Sequence, residues 1–380
     1  MNILIVPNSF KGCLSAALAG AAIAAGVRKV VPSAEIRIMP LSDGGDGLLD
    51  ACRLCLGGEE IAADTFDALG RPIRAPWLKA GATAIIEMAQ ASGLARLAGP
   101  EEYNPLTAST FGTGCLMAKA LDCKCRQIVV GLGGSATVDA GCGLAAALGF
   151  KLPDKNGKQI PPGGGSLHLL DKIVVERRDR RLRSAEIICL TDVRNPLLGP
   201  QGAARVFGPQ KGAIPAQVEL LEKNLARWAG IARRDLGRDV AEVPGAGAAG
   251  GAGAGCAAFF GALPRSGAEW IGEKVGLERI LAAADVVFTG EGRLDSQTAF
   301  GKIPAYVGRL GRKHGKRVVA LAGAVEEGAC PASTGITECR CINPRGISLR
   351  EAFRDAEKNL ALAAGEVMME LIDSPGNQRR

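Results

Sequence analysis

The stretch NILIVPNSFKGCLSAALAGAAIAAGVRKVVPSAEIRIMP, residues 2–40, decides the fold. Its first six residues form an apolar run that ends at a proline, the pattern of a strand buried on both faces. Ser15 then stands where a helix N-cap belongs, ahead of an Ala-rich segment that runs to Val31. Residues 35–40 make a second short apolar run. Strand, helix and strand in so few residues are a βαβ unit, which brings its two strands together in parallel with the helix packed on the sheet.

The same alternation returns along the chain. Gln127–Gly131, 285–289 and 317–321 are apolar runs that close on glycine-rich segments, and 340–343 fits a last strand before a long closing helix over 352–372. The middle reads differently. Residues 60–64, 73–77 and 83–88 are short runs joined by turn residues, as in hairpins, and 151–165 is a polar, Gly/Pro-rich excursion. Glu186–Leu190 is an apolar strand leading to Asp192. The sequence therefore predicts an α/β fold with a doubly wound parallel-sheet domain built from both chain ends, residues 1–56, 106–150 and 283–380. A second, mixed α/β domain, residues 57–105 and 151–282, is inserted within it.

Composition narrows the function. With 47% hydrophobic and 22% charged residues the chain is globular, and with 52 glycines and 4% aromatics its core is built for close helix-on-sheet packing. A net charge of +7 is too mild for a nucleic-acid binder, and the Arg-rich run 176–183 mixes in acids and lacks aromatics, so it reads as a solvated face. Twelve cysteines in 380 residues do not make a disulfide framework. The close pairs Cys52/Cys55, Cys123/Cys125 and Cys339/Cys341 have only His168 and His314 to complement them, which points to reduced thiols rather than zinc. The first apolar run is too short for a signal peptide, and the long uncharged run 243–264 is mostly Gly and Ala, which predicts a loop and a buried helix rather than a membrane span. Cytoplasmic location, with no membrane and no nucleic acid as partners, is the expectation; monomer and homodimer both stay open.

Polar motifs fall repeatedly after predicted strands, where open α/β sheets bind ligands. Asn8-Ser9-Phe10-Lys11 follows the first strand and Ser42-Asp43-Gly44-Gly45-Asp46-Gly47 the second. Asp192 follows Leu190, and Glu291 follows Thr289. One shared cleft is the expectation. Carboxylates for a divalent metal, cations for phosphate oxygens and glycines for backbone N–H approach are the inventory of phosphoryl transfer. Each motif also has a plainer reading. Asp43 and Asp46 suit a turn, Asp192 a cap, and Glu291 and Asp295 a local salt bridge with Arg293. Lys11 and Lys211 suit the surface, and Asn8, Ser9, Ser135, Thr137 and Asp139 suit turn caps.

Several machines are excluded. No Gly-x-x-x-x-Gly-Lys-Ser/Thr occurs, and two histidines with no His-Arg-Asp rule out a protein-kinase loop. Gly245 to Gly250 spells Gly-x-Gly-x-x-Gly but follows a poor strand and precedes no ribose-binding acid, which argues against a nicotinamide site and leaves a helix N-terminus for anions open. Gly133-Gly134-Ser135 is not a nucleophile elbow, which argues against a serine hydrolase.

At these residues the chain closely resembles the type-1 glycerate kinase family. The likeness is carried, in order, by 7–12, Asp43-Gly44-Gly45-Asp46-Gly47, Gly112-Thr113-Gly114, 131–143, 192–196, 205–212, 244–251 and 290–302, and it runs to about residue 354. The resemblance implies a Rossmann/flavodoxin-like domain with a second mixed α/β domain. It implies a cytoplasmic, ATP- and Mg²⁺-dependent kinase acting on D-glycerate, usually giving 2-phosphoglycerate. Family members commonly carry Asp where this chain has Asn8 and Glu where it has Asp46.

On that footing Asp192 is expected to orient and deprotonate the acceptor hydroxyl, with Lys11 and Lys211 on phosphate or carboxylate oxygens. Ser9, Arg293, Asn195 and Asp295 are expected to bind substrate or phosphate. Gly133, Gly134, Ser135, Thr137, Gly290 and Gly292 are expected to line the nucleotide, and Asp43, Asp46 and Glu291 to hold the metal. The alternatives are a kinase of another small hydroxy acid or of the 3-hydroxyl, and a non-catalytic regulator that senses a hydroxy acid.

Overall fold

The computed structural model describes residues 1–295, 302–326, 328 and 332–373. Its strands are β1 (Asn2–Pro7), β2 (Glu35–Ile38), β3 (Glu59–Phe66), β4 (Pro72–Ala80), β5 (Thr83–Glu87), β6 (Gln127–Gly131), β7 (Glu186–Leu190), β8 (Pro264–Arg265), β9 (Val286–Leu294), β10 (Arg317–Val325) and β11 (Glu338–Cys341). The chain divides into two compact units, one of Met1–Ser42, Asp50–Leu56 and Ala268–Arg380, the other of Asp43–Leu49 and Gly57–Gly267.

The first unit holds a five-stranded sheet in the order β11-β10-β9-β1-β2, with every pairing parallel. Counted within the unit this is the order 2-1-3-4-5 of a flavodoxin-like doubly wound sheet. The apolar run that opens the chain forms β1, and Ile3 to Val6 are buried because helices cover both faces. Ser15 caps the first helix, Ala16–Val30, as its Oγ accepts the Leu18 N–H at 3.2 Å. That helix lies so close to the closing helix that a Cβ on Gly26 would stand 2.0 Å from Ala361 O. Two expectations are corrected here. The closing helix is two helices, Leu349–Arg354 and Ala356–Asp373, because Asp355 leaves helical geometry and Arg354 grips its carboxylate. Gly290-Glu291-Gly292 and Ala322-Gly323 do not follow their strands; β9 and β10 run through them as a paired ladder.

The second unit holds a six-stranded mixed sheet, β3-β4-β5-β6-β7-β8. β3, β4 and β5 form an antiparallel meander, and β5 to β8 are parallel. Its core gathers Trp77, Ile86, Val130, Leu144, Phe150 and Trp228. Residues 106–150, expected with the end-built sheet, belong here, since β6 pairs with β5 and β7. Ile128-Val129-Val130 would suit the interior of either sheet; only the hydrogen-bonded neighbours decide. The uncharged run 243–264 contains the buried helix Ala248–Gly255, and among the described residues no helix is long and apolar enough to cross a membrane. Ten described cysteines are free thiols, but Cys339 is disulfide-bonded, which corrects the expectation of reduced thiols throughout.

Candidate functional site

In the six-stranded unit, three connections meet at the carboxyl ends of β6 and β7. The Leu132 N–H donates to Leu190 O at 3.0 Å, and the Gly133 N–H donates to Gly44 O at 3.0 Å. A Cβ on Gly133 would stand 2.2 Å from Gly45 Cα, so only glycine lets these two backbones touch. The contact brings the Asp43–Gly47 turn against Gly133-Gly134, with Asp46 Oδ1 2.7 Å from where a Gly134 Cβ would lie.

Beyond Gly134 the chain turns inward. Lys211 Nζ donates to Ser135 Oγ and to Thr137 O, both at 2.8 Å. Lys211 is 2% exposed, and among the described residues no carboxylate lies within ion-pair distance of it. Burial pulls its ammonium down to about 7, against a smaller upward pull from the charge of Asp139. Asp139 is fully buried, and its carboxylate accepts from Thr110 N and Oγ1 (2.9 Å each), Gly141 N and Gly143 N (3.1 Å each). Burial raises its pKa in spite of those four donors.

Glu87, at the end of β5, was not foreseen. It is 2% exposed and accepts from Gly47 N and Leu49 N at 3.2 and 3.3 Å, at the first turn of the helix Leu48–Leu56. A carboxylate there suits the helix dipole and pins the glycine turn. Burial raises Glu87 to about 7, and the charge of Asp46 adds to the rise. The sequence signal was an acid closing the apolar run Ala84-Ile85-Ile86.

Asp192 follows β7 half-buried, and among the described residues its carboxylate takes part in no hydrogen bond or ion pair. Asn195 is occupied in its loop: its Nδ2 donates to Gln201 O at 2.8 Å, and its carbonyl accepts the Gly247 N–H at 2.9 Å. The start of the helix Ala248–Gly255 presses on the Lys211 acceptor. Gly250 is left-handed at φ 65°, its carbonyl accepts the Ala140 N–H at 3.1 Å, and a Cβ there would stand 2.0 Å from Thr137 O.

The five-stranded unit has its own group where the strand order reverses, between β1 and β9. The Asn8 N–H donates to Gly290 O and the Ser9 N–H to Asn8 Oδ1, both at 2.8 Å. β9 overhangs β1 by the residues after Gly290, which sets Gly292 against the Phe10–Lys11 backbone, a Cβ there lying 3.6 Å from Lys11 N. Glu291 is buried and Lys11 exposed. Further along, Arg293 pairs with Glu326, and Lys302 Nζ donates to Asp295 at 3.3 Å. Part of the 290–302 motif, residues 296–301, lies outside the described residues.

The structure thus gathers Asp43, Asp46, Gly133, Gly134, Ser135, Thr137, Asp192, Asn195 and Lys211 in one unit, and Ser9, Lys11, Gly290, Glu291, Gly292, Arg293 and Asp295 in the other. The donor chemistry suits Mg²⁺, since Asp43 and Asp46 offer hard oxygen ligands from one turn. Among the described residues no group of three or more His, Cys, Asp or Glu could hold a metal. Mg²⁺ with a nucleotide needs only one or two carboxylates beside phosphate oxygens.

Known proteins match this chain along nearly its whole length. The sequence profile of the Glycerate kinase family matches residues 3–372. A glycerate kinase of Halalkalibacterium halodurans is 41% identical over 96% of this chain and 97% of its own length. A glycerate 2-kinase of Escherichia coli K12 is 41% identical over 97% of each. A crystal structure of a candidate glycerate kinase 2 from Salmonella typhimurium LT2 superposes with a TM-score of 0.87 at 39% identity, covering 100% of this chain and 99% of that one.

Proposed function

The chain belongs to the glycerate kinase family, and from that premise we propose that it transfers the γ-phosphoryl group of ATP to the 2-hydroxyl of D-glycerate, giving 2-phospho-D-glycerate and ADP. One observation carries the reading to specific residues. Lys211 is a buried cation with two neutral acceptors and no carboxylate in ion-pair reach among the described residues, so it is set to receive an anion.

Lys211 binds oxygens of the transferring phosphoryl group, and its bonds to Ser135 and Thr137 fix where the charge stands. Gly133 and Gly134 present backbone to the phosphates without a Cβ in the way. Asp192 orients the acceptor hydroxyl and takes its proton as the new P–O bond forms and ADP leaves with the electron pair of the broken bond. Asp43 and Asp46 are the carboxylates that would hold Mg²⁺ in this unit, and the ion supplies charge neutralisation across the phosphates. Ser9, Lys11 and Glu291 offer a hydroxyl, an ammonium and a carboxylate of the same use on the five-stranded unit.

A coupled assay of ADP release with and without D-glycerate tests the activity, and phosphorus NMR of the product tests the position. Glycerate-dependent release with 2-phosphoglycerate as product is expected. Release that ignores glycerate would refute the kinase reading, and 3-phosphoglycerate would move the transfer to the other hydroxyl.

A further inference from the structure

Next to the Asp139 cage, within the six-stranded unit, lies a cavity of about 460 Å³, inside the range of small-ligand pockets. Aromatic rings shape it. Phe66 and Phe111 pack at 5.7 Å between centroids, and Phe150 is held from outside by Phe259 and Phe260 at 5.2 and 5.9 Å. These walls are fixed by packing before any ligand arrives.

The polar groups on its lining are unequal. Asp67 is spent, since it accepts from Leu69 N and Arg71 N at 2.9 Å and from Arg71 Nε at 2.5 Å. Lys151 is exposed on the lining, and among the described residues its ammonium has no hydrogen bond or ion pair. The cavity therefore asks for an apolar body with one negative charge. Glycerate is too polar for such walls, and a triphosphate needs more cations than Lys151 alone.

We propose that this cavity is a second ligand site which takes a compact hydrophobic carboxylate, an aromatic or branched aliphatic acid, and whose occupancy reaches Lys211 through Asp139. The route is short. Ser109 and Gly143 line the cavity, the Ser109 hydroxyl donates to Asp139 at 3.5 Å, and the Gly143 N–H donates to it at 3.1 Å. Asp139 stands two residues beyond Thr137, whose carbonyl accepts from Lys211 Nζ at 2.8 Å, and its charge acts on that lysine. Binding does not depend on the phosphotransfer reading; the coupling rests on it.

Calorimetric titration of the full chain with 3-phenylpropanoate tests the site. Saturable one-to-one binding is expected, with 3-phenylpropanamide and the rim variant Lys151→Glu each weaker by about fivefold, the scale of an exposed ion pair. Ala146→Phe, which fills the cavity, abolishes binding. No saturable heat, equal binding of the amide and no effect of Lys151→Glu, or displacement of the acid by ATP would each overturn the site. Saturating 3-phenylpropanoate is further expected to change kcat/KM for glycerate. Calorimetric binding with unchanged kinetics overturns the coupling, whereas a chain that never releases ADP with glycerate sinks the kinase reading and leaves the binding result standing.

Discussion

Lys211 Nζ and Ser135 Oγ meet at 2.8 Å with both side chains buried, and among the described residues no carboxylate stands within ion-pair distance of the lysine. Burying an ammonium this way costs folding energy, which a phosphate would recover on binding under the proposed function. On the proposed function the arrangement trades stability for a preformed anion seat.

The folded Lys211 titrates near 7 and the unfolded one near 10.5. Between those values the unfolded chain holds a proton that the folded chain has lost, so this group makes stability rise with pH across the window. Its cost is fully present below pH 7. Lys211→Met removes the titration. The variant should gain on the parent at pH 6, and its relative advantage should shrink by roughly 3–5 kcal/mol by pH 10, since each tenfold change in proton affinity is worth about 1.4 kcal/mol. Urea midpoints of both proteins at pH 6, 8 and 10 check this, and a constant difference would contradict it.

Activity should follow the same proton. An anion seat needs the ammonium, so kcat/KM for ATP should fall above pH 7, approaching about tenfold per pH unit. Lys211→Arg keeps its charge through that range and should flatten the fall, whatever its absolute rate. Parallel pH profiles for parent and variant would assign the fall to another group.

The sequence reveals these residues unevenly. β1, β6 and β7 were legible to the residue because turn formers bound continuous apolar runs. The partners of β6 were not, since Ile128-Val129-Val130 suits the interior of either sheet. The overhang of β9 was hidden because Gly290 and Gly292 read as a loop, whereas pairing with β10 keeps them extended. Within the site, Lys211 and Ser135 stood out by their glycine-rich settings. Glu87 did not, because a carboxylate at a strand end becomes significant only when a distant helix start arrives to donate to it.

Glu87 yields a prediction of opposite sign. Its carboxyl titrates near 7 when folded and near 4.5 when unfolded. Between those values the folded chain holds the extra proton, so stability falls as pH rises through the window. Glu87→Gln should erase that slope, changing the difference from the parent by about 3 kcal/mol between pH 4.5 and 7.5. Thermal or urea unfolding across that range decides it, and an unchanged slope would place the titration elsewhere.

Two glycine substitutions should part in sign. Gly250→Ala forces a side chain into a left-handed residue, 2.0 Å from Thr137 O and 2.5 Å from Val138 Cα. It should cost about 3 kcal/mol or more and disturb the Lys211 acceptor with it. Gly230 lies in the helix Pro215–Leu236 with nothing near its Cβ position. Gly230→Ala should stabilise by about 0.5–1 kcal/mol with activity unchanged. Denaturant midpoints measure both.

Asp192 separates chemistry from architecture most cleanly. Its carboxylate is half-buried and has no hydrogen-bond or ion-pair partner among the described residues, so folding does not use it. Asp192→Asn keeps the shape and removes the carboxylate that the proposed mechanism uses as the base. Unfolding should move by no more than about 0.5 kcal/mol, and ATP affinity by calorimetry should hold, because Lys211 and the glycine backbone remain. Turnover should drop by about 10²- to 10⁴-fold, the share of a positioned general base. A drop in stability alongside turnover would make Asp192 a structural cap, and near-parental kcat would leave proton removal to another group.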